Sequence, residues 1–302
     1  MRIVVSAASG LIGTALVRDL AGGGADVLRL VRRPARSSAE VSWQPDAPDG
    51  LDPAALRGVD AVVHLSGAPV APRRWTPARK ALLRSSRITS TRTLASAMAA
   101  AEPRPATLVC ASAIGYYGDT GSRAVDESTP SGEGFLAELV RDWEAAAEPA
   151  RAAGIRVVNI RSGLVLSPGG GLLGQLLPPF RLALGAKIGS GRQYMSWISL
   201  PDEISAIRFL LESADAEGAY NLTAPEPVTN AVFTAALAHA VHRPAPLIVP
   251  SAALRAALGE VSGELLGSAR VLPARLQAAG FTFAHPDIDA ALRVVLEAPA
   301  GR

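Results

Sequence analysis

The residues of this chain best suited to chemistry begin at Ser6-Ala7-Ala8-Ser9-Gly10-Leu11-Ile12-Gly13, where an apolar run, RIVVSA, gives way to an amphipathic one, LIGTALVRDLA. A strand-to-helix turn made of small residues lets a ligand approach the backbone, points free N–H groups at it and adds the partial positive charge of a helix start. A pyrophosphate suits such a turn. Gly10 and Gly13 fill the last two places of a G-x-x-G-x-x-G pattern; Ala7 stands at the first, where alanine is tolerated if its φ is negative. An ordinary tight turn has the same composition, so the next strand matters. It ends in Leu30-Val31-Arg32-Arg33, where a domain selective for NAD places a carboxylate on the ribose 2′-hydroxyl. Arg32 and Arg33, with Ser9 nearby, instead offer charge-assisted hydrogen bonds to a 2′-phosphate, which favours NADP(H) over NAD(H).

A second group of candidates lies where later strands end. In DAVVHLSG, Leu65, Ser66 and Gly67 follow a buried run at the edge where open α/β sheets bind ligands, and His64 reads as a packed strand-end histidine. Arg87, in RSSRITS on a long helical stretch, is in reach of a cofactor phosphate or simply solvated. In TLVCASAIGYYGD the hydroxyl groups of Ser112, Tyr116 and Tyr117 cluster just past another strand; a tyrosine there packs more often than it donates a proton. Glu138 and Asp142 lie four apart on one helix face, a spacing typical of solvated pairs. The stretch Gly189 to Trp197 joins glycines, Arg192 and two aromatics, a composition fit for a substrate-facing loop. A metal centre is not expected: one cysteine and four dispersed histidines, His64, His239, His242 and His285, have no ligand spacing.

The elements that must position these residues alternate. Continuous apolar strands are expected at Arg2 to Ala7, across ADVLRLVR, and at Ala61 to Leu65, Thr107 to Ala111 and Ile155 to Arg161, with helices between them, notably about Thr76 to Ala101 and Phe135 to Ala153. That pattern is an α/β fold, a Rossmann-type doubly wound parallel sheet covered on both faces. A dinucleotide-binding domain is assigned to 1–166, with 195–225 returning to it. Residues 167–302, opening on the Pro/Gly loop after Leu166, form a smaller, mostly helical substrate-side and C-terminal region.

Composition excludes several classes. Thirty Lys+Arg against 27 Asp+Glu leave a net charge of +3. The basic residues are scattered, so no nucleic-acid stripe is expected, and the cluster RLVRRPAR needs only a nucleotide-sized anion to explain it. No apolar run is long enough to span a membrane, and the lone Cys110 in an apolar strand fits a reducing cytoplasm. The expected partner is a small-molecule substrate of unknown identity.

Taken together, VVSAASGLIG, LVRRP, DAVVHLSG, SSRITSTRTL, ASAIGYYGD, FLAELVRDWEAA, RSGLVLSPGGG, LPPFRLALGAKIGSGRQYMSWI and NLTAPEPVTN resemble the atypical short-chain dehydrogenase/reductases called "epimerase family proteins", the YfcH-like group, from Met1 to about Leu296. The resemblance implies NADP(H) as cofactor, with contacts on Ser6 to Gly13, Arg32, Leu65-Ser66, Arg87 and around Val165. It also exposes departures. The serine of the superfamily's catalytic set falls on Ala113, and its tyrosine and lysine fall on Leu136 and Val140, none of which can move a proton. Ser112, Tyr116 and Tyr117 remain as substitutes. The leading expectation is an NADP(H)-dependent oxidoreductase; the alternative is a catalytically silent NADP(H)-binding sensor or regulator. A nucleotide-sugar epimerase ranks third, because such enzymes need the absent tyrosine and lysine.

Overall fold

The computed structural model describes residues 1–70 and 74–297. Seven parallel strands form the central sheet: β1 (Arg2–Val5), β2 (Asp26–Val31), β3 (Glu40–Ser42), β4 (Ala61–His64), β5 (Thr107–Ala113), β6 (Arg156–Ser162) and β7 (Gly218–Leu222), in the spatial order β7-β6-β5-β4-β1-β2-β3. Strand order reverses beside β1, so the carboxyl ends of β1 and β4 open the crevice where a doubly wound sheet takes a ligand.

Because side chains alternate along a strand, each strand feeds two cores. Ile3, Val5, Ala61 and Val63 face one side, where α1 (Leu11–Gly22) and a later helix, Leu200–Glu212, cover them with Leu16, Leu20, Ile204, Ile207 and Leu210. Val4, Val62, Leu108 and Cys110 face the other, under Leu94 and Met98. Those two residues lie on a helix that begins as α2 (Pro77–Arg84), is interrupted by a π turn at Ser85–Thr89 and resumes as α3 (Ser90–Ala100). Thr76 starts it, its hydroxyl accepting from Arg79 N at 3.1 Å, with Pro77 at the first helical position, where a missing N–H costs nothing. The expected continuous helix after Phe135 is also divided, into α4 (Phe135–Ala145) and α5 (Glu148–Ala152), with Pro149 opening the second piece.

Beyond Leu166 a third core gathers Leu173, Leu177, Phe180, Trp197, Phe233 and Leu237 with Ile288 and Leu292. The last helix, Ile288–Glu297, buries Ile288, Ala291, Leu292 and Val295, a single face at helical spacing. Within the 195–225 stretch, Trp197–Ser199 pairs with Leu164–Leu166, and Gly218–Leu222 joins the main sheet as β7. The final five residues of the region assigned to 167–302 lie outside the described residues. Among the described residues no helix is long and apolar enough to cross a membrane.

Candidate functional site

The turn from β1 to α1 is shaped by contacts its side chains could not survive. A Cβ on Gly13 would stand 2.3 Å from Ala7 O and 2.9 Å from Ala8 Cα, so the third glycine place admits only glycine while helix and strand keep this spacing. At Gly10, the residue capping α1, a Cβ would lie 3.2 Å from Ala7 O. Ala7 itself has φ 49°, in the left-handed region, so the negative φ on which tolerance of alanine at this place was conditioned is not met. An L-residue in that region costs about 1–2 kcal/mol, and Gly10 N, donating to Ala7 O at 2.9 Å, helps hold it there. The tight turn is thus retained against its own side chain.

Ser6 belongs to the wall beneath the turn. It is fully buried; its Oγ accepts from Leu65 N at 2.9 Å and from Ser66 Oγ at 3.1 Å, and shares a 2.9 Å hydrogen bond with His64 Nδ1. His64 also meets Ser90 Oγ at 3.3 Å and the edge of Trp43, and burial pulls its pKa down to about 3. It is a neutral strut between strand ends, not a proton shuttle. Ala8 and Ile12 pack against the sheet core, and so do Leu65 and Val165, while Ser9 and Gly10 are exposed at the mouth of the turn. The Leu11 side chain reaches the glycine loop after Ser167, where a Cβ on Gly170 would sit 3.5 Å from Leu11 Cδ1.

Three arginines border this edge in different states. Arg33 is held by both oxygens of Glu40 at 2.8 and 2.9 Å, and its pair with β3 pulls the Glu40 carboxyl down to about 2. Arg32 is exposed, and among the described residues its side chain makes no hydrogen bond or ion pair. Arg87, from the π turn, is 9% exposed; its guanidinium lies over the Trp143 ring at 5.0 Å and donates to Ala68 O and Leu83 O at 3.0 and 3.3 Å. No carboxylate bridges it among the described residues, and burial, with Arg79 adding to the effect, pulls its pKa down to about 10, still cationic at neutral pH. A Cβ at Gly67 would lie 3.2 Å from that guanidinium. A glycine-only helix start, an open arginine and a buried arginine without a counter-charge fit a dinucleotide phosphate better than any uncharged group.

The hydroxyl cluster past β5 is largely self-satisfied. Ser112 Oγ donates to Glu144 Oε1 at 2.6 Å, and Arg161, on β6, binds both Glu144 oxygens at 2.7 and 2.8 Å. Arg161 also donates to Tyr117 OH at 3.0 Å, and Tyr117 OH donates to Asn221 Oδ1 at 2.8 Å. Burial pushes the Tyr117 hydroxyl up to about 12, a poor acid. Burial works against the Arg161 charge, but Glu144 and Tyr117 hold its pKa above the ordinary value. Tyr116 is half-buried, its ring against the Arg161 guanidinium at 3.4 Å, and its hydroxyl is outside this network. The superfamily's tyrosine and lysine places, Leu136 and Val140, face Gly115, where a Cβ would meet them at 3.4 and 4.0 Å. The pair Glu138 and Asp142 is bound to Arg84 at the surface.

Sequence reasoning missed Glu144 and Glu203. Glu144 follows Leu136 and Val140 at successive steps of four on α4, a spacing that could have flagged it. Glu203 is fully buried; Ser162 Oγ donates to its Oε1 at 2.5 Å, its Oε2 has no partner, and burial pushes its pKa up to about 8. No group of three or more metal-ligating side chains occurs among the described residues.

Residues 3–223 match the family described as "NAD dependent epimerase/dehydratase family", and 249–295 match a domain of unknown function. The chain is 50% identical to an "Epimerase family protein" of Mycobacterium bovis over 96% of each chain. A crystal structure of human epimerase family protein SDR39U1 with NADPH superposes at a TM-score of 0.91 with 34% identity, covering 99% of this chain and 100% of that one. A structure titled nucleoside-diphosphate sugar epimerase, from Corynebacterium glutamicum, gives 0.81 at 33% identity, covering 97% of this chain and 57% of that one.

Proposed function

This chain belongs to the NAD-dependent epimerase/dehydratase family, and from that premise we propose that it is an NADP(H)-dependent oxidoreductase acting on a small molecule. One observation carries the reading: the cationic, glycine-shaped edge formed by Gly13, Arg32 and Arg87. NADPH in the structure of the human relative supports the choice of cofactor. In this reading the N–H groups of Ser9, Leu11 and Ile12 hold the pyrophosphate, Gly10 N being engaged by Ala7 O; Arg32 pairs with the 2′-phosphate, and Leu65 to Gly67, Arg87 and Val165 line the rest of the cleft. The bound cofactor supplies hydride. The chain's own residues orient the substrate, and Tyr116, whose hydroxyl the Arg161 network leaves free, donates the proton. Ser112 and Tyr117 hold Arg161 in place. A reducing, cytoplasmic setting belongs to the same reading, supported by the buried lone thiol of Cys110.

Fluorescence titration with NADPH and NADH tests the binding half, with at least a tenfold preference for NADPH expected, equivalent to about 1.4 kcal/mol. A screen of carbonyl and enone substrates with NADPH tests the catalytic half. The second reading, a silent NADP(H) sensor, is favoured by the apolar Leu136 and Val140 facing Gly115. Tight NADPH binding without turnover of any screened substrate would decide for it, whereas equal affinity for both nucleotides would remove the Arg32 argument. A nucleotide-sugar epimerase lacks support from these same two positions.

A further inference from the structure

Residues 249–295, the stretch matched by a domain of unknown function, do not hold to the rest of the molecule evenly. The run 268–272 is stitched in. Ser268 N donates to Asp119 Oδ1 at 3.2 Å, and Ser268 O accepts from Thr120 N at 2.7 Å. Ser196 Oγ donates to Ala269 O at 2.7 Å and accepts from Val271 N at 2.8 Å, while Leu272 N donates to Val125 O at 2.8 Å. Upstream, Leu247–Val249 is paired in parallel with Ala186–Ile188. Between these fixed ends lie the helix Ser251–Leu258, a turn at Gly259–Val261 and the short helix Ser262–Leu266. Of residues 251–266 only Val261 and Ser262 are buried, and the first helix buries none.

Among the described residues, the hydrogen bonds and ion pairs that leave 251–266 all end on two cations. Arg74 Nε donates to Ala257 O at 2.8 Å and its Nη2 donates to Ala256 O, at the helix end where carbonyls lack intrahelical partners. Lys80 Nζ meets Glu260 Oε1 at 2.7 Å, both side chains partly exposed, and exposed pairs of this kind are weak. Lys80 also rests over the Phe135 ring, 4.8 Å from its centroid. Phe135 begins α4, one residue before the Leu136 that faces Gly115 beside Tyr116. Arg74 and Lys80 follow β4, whereas Asp119, Thr120 and Val125 follow β5, its neighbour in the sheet. The segment therefore runs across the carboxyl edge of the sheet, the edge that takes the ligand in a doubly wound fold.

We propose that 251–266 is a gate over the cleft, latched by Arg74 and Lys80, which must lift for a nucleotide or substrate to enter or leave. The proposal rests on the cofactor cleft read above. A weak latch lies between strong anchors, so breaking two exposed contacts frees 251–266 without disturbing 268–272, the sheet or Tyr116. Segments with few buried contacts open at the lowest free-energy cost, and lids are drawn from them.

Two measurements test this. Hydrogen exchange on the full chain should find the amides of 251–266 opening faster than those of 268–272. Arg74→Ala combined with Glu260→Gln should speed the former roughly tenfold and leave the latter and the central sheet unchanged. The second measurement uses Lys80→Cys with Glu260→Cys, bridged by a short bismaleimide; Cys110, fully buried, stays unreacted. Stopped-flow fluorescence should find NADPH association and dissociation both slowed about tenfold or more, relative to the same protein capped with a monofunctional maleimide. NADPH binding at rates the bridge leaves untouched overturns the gate and spares the cofactor reading, and equal exchange in the two segments does the same. A parent chain that binds no NADPH removes the cofactor reading, and the gate with it.

Discussion

The two ends of the candidate cleft are built on opposite principles. At the β1–α1 turn the backbone leaves its polar groups open: Gly13 has no room for a side chain, Ala7 is strained, and Ser9 and Gly10 face solvent. At the β5–α4 corner the polar groups have closed on one another, so that Ser112, Glu144, Arg161, Tyr117 and Asn221 form one chain of hydrogen bonds. An open site is available to a ligand, and a closed one holds its shape. The open groups at the first corner belong to the backbone and the closed ones at the second to side chains, so substitutions at the second need not disturb the first.

The sharpest break of that contrast is Gly13→Val. Its side chain would overlap Ala7 O and push α1 from β1, so NADPH binding should be abolished in the protein that still folds, as read by fluorescence titration beside a circular-dichroism check of fold. Normal affinity in a folded variant would remove the turn from the phosphate site. Next in size is Tyr116→Phe on any substrate found, with turnover expected to fall roughly 10²- to 10⁴-fold at unchanged cofactor affinity, the usual worth of a positioned acid. Ser112→Ala and Tyr117→Phe should instead lower the melting temperature, since each removes a partner from a buried network. If Tyr117→Phe alone stopped turnover, the roles of the two tyrosines would be reversed.

Arg32→Ala should cost about tenfold in preference for NADPH over NADH, in line with the 1.5–3 kcal/mol of a charged hydrogen bond less its residual hydration. Arg33→Ala should leave the preference alone, because Glu40 already engages that side chain. The smallest effect is on pH. Glu203 stays protonated in the folded chain up to about 8 from an ordinary value of 4.5, so its contribution is whole below 4.5 and is lost as pH rises toward 8. Melting temperatures followed across that range should decline less in Glu203→Gln than in the parent; parallel profiles would show that Glu203 does not titrate there.

The turn and the sheet were legible because their signals are local: a glycine pair at a strand end, apolar runs of strand length and helical periodicity between them. What escaped was decided by distant partners. Ser112 reads as a free hydroxyl until Glu144 arrives from 32 residues away, and Tyr117 until Asn221 arrives from 104. Arg33 looked equivalent to Arg32 because β3 is only three residues long, too short to announce itself, and it is β3 that brings Glu40. The strain at Ala7 was invisible for another reason: composition does not report φ, and here the surrounding turn overrides the residue's preference.

The π turn at Ser85–Thr89 has a consequence for how this helix can change over evolutionary time. Such a turn holds one residue more than an α-helix of the same rise, and each residue advances an α-helix by about 100°. The chain from α2 to α3 thus behaves as two helices out of phase, with the turn between them aiming Arg87 toward Gly67 while α3 aims Leu94 and Met98 into the core. Deleting a single residue there would bring the halves into phase and leave only one of those two orientations satisfied. Point substitutions can drift through this segment; changes of length cannot.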